Sequence, residues 1–181
     1  MAYTFEKHLH NYACWTAARA VQRNFTKTPN IIRAIETSAL MQLDSLKVNS
    51  YEEYDVFHRK CCNQLIDYLK KECNIEVTYG RAAKIVAIYL KTAVIVRYSG
   101  EGKLAEVEHP PIDRILLTNL QKNFNGIVAD KTNWTELDEN KYFDLIARLR
   151  TLPFEKLWQL EEFWSAADEN IETRVERKIR E

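Results

Sequence analysis

Tyr79-Gly80-Arg81-Ala82-Ala83-Lys84-Ile85-Val86-Ala87-Ile88-Tyr89-Leu90-Lys91-Thr92-Ala93-Val94-Ile95-Val96 is the stretch whose reading decides the fold. Ala83, Val86, Ala87, Leu90 and Val94 recur at helical spacing, while Ile85, Ile88 and Ile95 cover the remaining sides. A helix that is apolar all round belongs in the middle of a bundle. Lys84 and Lys91 interrupt the run, which falls short of the ~20 apolar residues that a bilayer requires. Its end, 93–96, is rich in β-branched residues and also fits a short strand.

Lys84 and Lys91 are seven residues apart and share one helix face. As lysines in an apolar setting they can snorkel, stems packed and ammonium groups in water. They can instead form a cationic wall for an anionic ligand, or supply an amine nucleophile whose pKa burial has lowered. Further on comes His109-Pro110-Pro111-Ile112-Asp113. The prolines set a helix start, and Asp113 in the first turn complements the positive end of the helix dipole. His109 reads as a capping or packing side chain, or as an acid–base group. Lys84, Lys91, His109 and Asp113 form the best polar cluster in the chain if the two helices meet.

The pattern Gly80-x-x-Ala83-Lys84 with Tyr89-x-Lys91, followed by His109-Pro110-Pro111-Ile112-Asp113 and by Trp158 and Trp164, resembles a group of small bacterial proteins. The resemblance covers most of the chain and implies no particular activity. More distantly, a glycine–lysine helix followed by an aspartate at a later helix start is similar to helix-hairpin-helix DNA glycosylases. Lys84 and Asp113 are the corresponding positions. The pattern here has one glycine, Gly80, where the hairpin of that superfamily has two. This resemblance implies a nucleic-acid-processing enzyme, with Lys84 as amine nucleophile or phosphate contact and Asp113 stabilising charge or orienting water.

Composition bounds these readings. A chain of 181 residues suffices for one domain with a real core. The 26 basic and 26 acidic side chains cancel, so a nucleic-acid site would have to be a local patch. Only four glycines and four prolines punctuate the chain, which favours long helices and short connections. The first residues lack the apolar core of a signal peptide, and no segment reads as a membrane span. Of the four cysteines, Cys14, Cys61, Cys62 and Cys73, two are adjacent, a poor disulfide framework; reduced thiols and a cytoplasmic location are expected.

Taken in order, a first helix over about 4–24 carries Phe5, Leu9, Ala13, Thr16 and Ala20 on its expected core face. Trp15 and Arg19, four apart on the adjoining side, can stack on each other and, with Lys91, are candidate ligand-binding residues. Thr28-Pro29 opens a second helix and a Ser50/Glu53 capping box a third. His10 and Cys14, like His58 and Cys62, are four apart. A zinc site built from these four is geometrically conceivable, but no CxxC knuckle accompanies it, and small buried thiols beside ordinary helix-face histidines are the plainer reading; no metal or cofactor is assigned. The 98–103 loop is a connector or a substrate-contacting lid. A sixth helix carries Tyr142, Leu145, Ile146 and Leu149. Pro153 starts a long last one, whose tail mixes both signs of charge.

The expected architecture is all-α: six or seven helices around a buried one at residues ~80–96, in a single domain of 1–181 with a body of 1–165 and a charged helical extension at 166–181. The expected function is binding of a ligand or protein partner on a polar face holding Trp15, Arg19, Lys84, Lys91, His109 and Asp113. The alternative is a DNA-processing enzyme with Lys84, Asp113 and His109 as its catalytic groups and Trp15 stacking on an extruded base. A third reading is an oligomerising module, a homodimer through the C-terminal helix. No phosphate-binding loop, dinucleotide fingerprint, HExxH or nucleophile elbow is present.

Overall fold

Side-chain caps punctuate the chain, and the helices begin where those caps stand. Thr4, Ser50, Thr78, Asp113 and Asp138 each accept a backbone N–H from the first turn that follows. The acceptor of the third helix works as expected, but Glu53 reaches one residue further back and takes the Asn49 N–H at 2.7 Å. The computed structural model, which describes residues 2–22, 24–129 and 132–164, holds seven α-helices, five of them opened by these caps. They are α1 (Phe5–Val21), α2 (Thr28–Glu36), α3 (Tyr51–Cys73), α4 (Tyr79–Leu90), α5 (Lys103–Val107), α6 (Arg114–Asn123) and α7 (Glu139–Leu149). Three 3-10 helices, Ala39–Ser45, Trp134–Glu136 and Leu157–Phe163, complete the frame, and no strand occurs among the described residues.

The fold is all-α, with α4 at its centre. Ala82, Ala83, Ile85, Val86, Ala87 and Leu90 are all buried. α1 lies along one side of α4, α3 on another, and the 134–137 segment and α7 close the start. The approach of α1 uses small residues, Ala13, Cys14, Ala17, Ala18 and Val21. That face is rotated from the expected one. Phe5 is exposed because α1 outruns its partner there, and Thr16 is turned partly inward to hydrogen-bond Thr92 at 3.3 Å. At the other end of α4, Gly80 donates its N–H to Leu137 O at 2.9 Å, and a Cβ built there would lie 2.0 Å from Trp134 O. Only glycine lets the two backbones come that close.

The β-branched end of the central stretch is not a strand. It continues α4 as a π-helix, Lys91–Val96, closed by Gly100 N–H to Ile95 O at 2.8 Å. Thr92, Val94, Ile95 and Val96 are stiff at χ1 and crowd an α-helical turn. Thr92 also aims its hydroxyl at Ile88 O. The wider turn relieves both effects, and π-turns of this kind are frequent beside functional sites.

The long last helix expected from Pro153 is replaced, over the described residues, by bends at 152–156 and the 3-10 helix Leu157–Phe163, after which Trp164 is extended. Fixed interactions explain this course. Lys156 Nζ donates to Gly100 O at 2.8 Å, Asn119 Nδ2 donates to Phe163 O at 2.9 Å, and the Trp158 ring covers Gly100 so closely that a Cβ there would meet it at 2.6 Å. The charged extension at 166–181 and the homodimer it was expected to mediate lie outside the described residues. No helix among the described residues is long and apolar enough to cross a membrane.

Candidate functional site

α4 and α6 do meet, and they bring Lys84 and Asp113 together. Lys84 Nζ lies 3.0 Å from Asp113 Oδ2, with the two side chains only 9% and 14% exposed. Trp164 covers the pair by donating its indole N–H to the same oxygen at 2.8 Å, and Lys84 sits 4.6 Å from the centre of the Trp134 ring. The other carboxylate oxygen, Oδ1, caps α6 through the Leu116 N–H. Burial pushes the Asp113 carboxyl up, but the Leu116 N–H, the Lys84 charge and the Trp164 bond outweigh it, and its pKa is lowered. One turn-pair along α4, Lys91 is paired with Glu161. Both lysines are thus matched by carboxylates, and they do not form an open cationic wall. Beneath Lys91 and Glu161 lies Glu108, fully buried, with no partner for its Oε2 among the described residues; burial, and then Glu161, raise its pKa.

His109 belongs to a different cluster. It is 0% exposed, and both ring nitrogens are occupied. One chain of donors and acceptors satisfies the whole group. Tyr79 O–H donates to His58 Nδ1 (3.1 Å), His58 Nε2–H to the Tyr142 oxygen (3.4 Å), Tyr142 O–H to His109 Nδ1 (3.2 Å) and His109 Nε2–H to Asp55 (3.1 Å). Arg150 holds Asp55 through two N–H bonds of 2.9 and 2.6 Å, one of them to the oxygen that His109 also binds. Arg150 Nε finds no partner among the described residues, but both ring nitrogens of each histidine do, and buried rings held this way favour a unique packing over an accessible acid or base.

The two His/Cys pairs do not converge. Each docks on its own tyrosine of α4: His10 on Tyr89 at 3.0 Å and His58 on Tyr79 at 3.1 Å. Ten residues of helix, roughly 15 Å, separate those tyrosines. Among the described residues no three His, Cys, Asp or Glu side chains stand together as a metal site. Trp15 is 51% exposed and stacks on Tyr12, and Arg19 is exposed beside it on the outer side of α1; neither reaches the Lys84–Asp113 pair.

The space for a ligand lies elsewhere. One cleft of about 680 Å³ opens beside Lys91 and Glu161 under Phe154 and Trp158. A second, of about 730 Å³, opens where α4 passes into the π-helix, between the start of α1, the 3-10 helix Ala39–Ser45 and the turn before α5. Its walls are Leu9, Leu40, Leu43, Leu46, Val94 and Leu104. Its floor holds Tyr89 and His10, and its mouth Asp44 and Arg97. Burial, then Cys14 and Asp44, raise the Tyr89 pKa, so the phenol keeps its proton and donates it to His10 Nδ1. The remaining His10 nitrogen faces Glu36 at 3.8 Å. Sequence reasoning met His10 as a zinc-ligand candidate and Tyr89 as part of the Tyr89-x-Lys91 pattern, but did not join them, since 79 residues separate the two. Neither a protein-family model nor a curated protein nor a solved structure matches this chain.

Proposed function

We propose that this protein binds a small molecule with an apolar body in the cleft at the end of the central helix. One observation carries the reading: a space of about 730 Å³ walled by leucines and a valine, with the Tyr89–His10 pair as its polar floor. Ligand sites are concave, mostly apolar and furnished with a few fixed polar groups, and their volumes run from roughly 300 to 1,000 Å³. The lysines of the central helix act in this reading as internal braces, and the binding surface is the face of α4 and the π-helix turned toward α1.

Ala93 lines the cleft and is partly exposed, so a larger side chain there fills the space without entering the core. Thermal unfolding in the presence of a panel of amphipathic small molecules tests the proposal. Binders raise the melting temperature with concentration, equivalent to about 2.7 kcal/mol at a hundred times Kd. Ala93→Phe retains the unliganded melting temperature and abolishes the shifts. A panel that produces no shift, or shifts that survive in Ala93→Phe, removes the proposal.

A further inference from the structure

The charges around the cleft at the end of α4 are unequally matched, and the mismatch identifies the polar end of the ligand. Five charged side chains line the opening: Glu6, Asp44, Arg97, Glu101 and Lys103. Two of them are engaged away from it, Glu101 with Lys156 at 3.1 Å and Lys103 with Glu106 at 2.8 Å. Glu6 and Arg97 act on one another. That leaves Asp44, which has no cation within ion-pair distance among the described residues. It lies close enough to Tyr89 to help hold the phenol in its protonated form.

Hydrogen-bond capacity points the same way. Tyr89 Oη lies 3.0 Å from His10 Nδ1, and with the His10 ring proton on Nε2, the nitrogen that faces Glu36 at 3.8 Å, the phenol is the donor of that bond and offers the cleft lone pairs. The remaining His10 proton faces Glu36. Tyr89 Oη and the Asp44 carboxylate are therefore both acceptors on the cleft lining, and Asp44, exposed, has solvent rather than a protein cation as its partner among the described residues. A hydroxyl could satisfy one of them; an ammonium, with three donors and a positive charge, can satisfy both. Resting on the ligand-binding reading above, we propose that the cleft recognises an amine: an aryl or alkyl body against Leu9, Leu40, Leu46 and Val94, with a protonated amino group between Asp44 and Tyr89. A carboxylate in the same place would face Asp44 with like charge and find no donor.

Calorimetric titration with 4-phenylbutylamine, 4-phenylbutan-1-ol and 4-phenylbutanoate tests this, because the three share a body and differ only in the head group. The amine binds about tenfold more tightly than the alcohol, in line with a hydrogen bond to a charged group, and the acid binds weakest. Asp44→Asn, an exposed and isosteric change, removes the charge and erases the tenfold ratio between amine and alcohol. If the alcohol or the acid binds as tightly as the amine, or if Asp44→Asn keeps the preference, the amine assignment is overturned while the ligand-binding reading stands. If none of the three binds, both fall.

Discussion

Gly80 carries a consequence out of proportion to its size. Its missing side chain is the space that Trp134 O occupies, and its N–H is committed to Leu137 O. The hydrogen bond leaves that N–H unavailable to a phosphate, which a hairpin reading of the residue would require. Adding one methyl group forces two backbone segments apart. Gly80→Ala is expected to destabilise the fold by about 2–3 kcal/mol, the cost of overpacking against an unyielding neighbour, read as a lower urea midpoint with an unchanged slope; an unaltered midpoint would show that the junction yields. The sequence displayed Gly80 ahead of Ala83 and Lys84 but not its reason, since the atoms that demand it lie more than fifty residues away. His109 was visible too, yet its fate depends on Tyr142 and Asp55, which no local spacing connects to it.

Elements were easier to read than residues. The cap at Ser50 is local chemistry, and α3 begins at it; Asp113, expected inside the first turn of a helix opened by Pro110-Pro111, is instead the cap of a helix that begins at Arg114, because the two prolines stay outside it. The π-helix was not legible, because a β-branched run satisfies strand and crowded helix alike. The last helix misled for a similar reason: of the stripe expected along it, Leu157 and Leu160 are buried, but a 3-10 turn buries them as well, Trp164 is exposed, and Ile171 and Val175 lie outside the described residues. Between α4 and α6 the Lys84–Asp113 pair acts as a brace. Lys84→Met leaves a buried carboxylate without its cation, and about 3 kcal/mol of stability should disappear. Lys84→Met with Asp113→Asn should recover part of that loss, Asn still accepting the Leu116 N–H. Chemical denaturation of the two variants beside the parent decides it, and a double variant no more stable than the single one would mean that the pair does not act as a unit.

For the molecule as a whole, the buried histidine–tyrosine network sets the response to acid. Burial drives the His109 pKa down to about 4, with Asp55 opposing and Arg150 reinforcing the fall. In the unfolded chain a histidine titrates near 6.5. The native state thus binds fewer protons than the unfolded state between those values. The stabilisation is complete above pH ~6.5, declines as the pH falls and bottoms out near 4, a loss of about 3 kcal/mol from His109 alone. Burial pushes Asp55 up, but its bonds from His109 and Arg150 pull it lower still, so its share is present above the ordinary carboxylate range and is lost on further acidification. Urea midpoints at pH 7.5, 6 and 5 should fall in that order, and a flat series would contradict the neutral state of the histidines. The all-helical class and the central position of α4 were readable from periodicity alone. The cleft was not, because it is made by four segments that only the fold assembles.

A helix without a solvent face is also a mechanical part. α4 has 12 residues, a rod of roughly 18 Å. One end borders the 730 Å³ cleft, and the other abuts the Trp134 carbonyl with no slack at Gly80. Close-packed interiors transmit strain rather than absorb it. A push along the axis at the cleft therefore reaches the 134–137 segment almost undiminished, and what occupies one end of the rod is felt as pressure at the other.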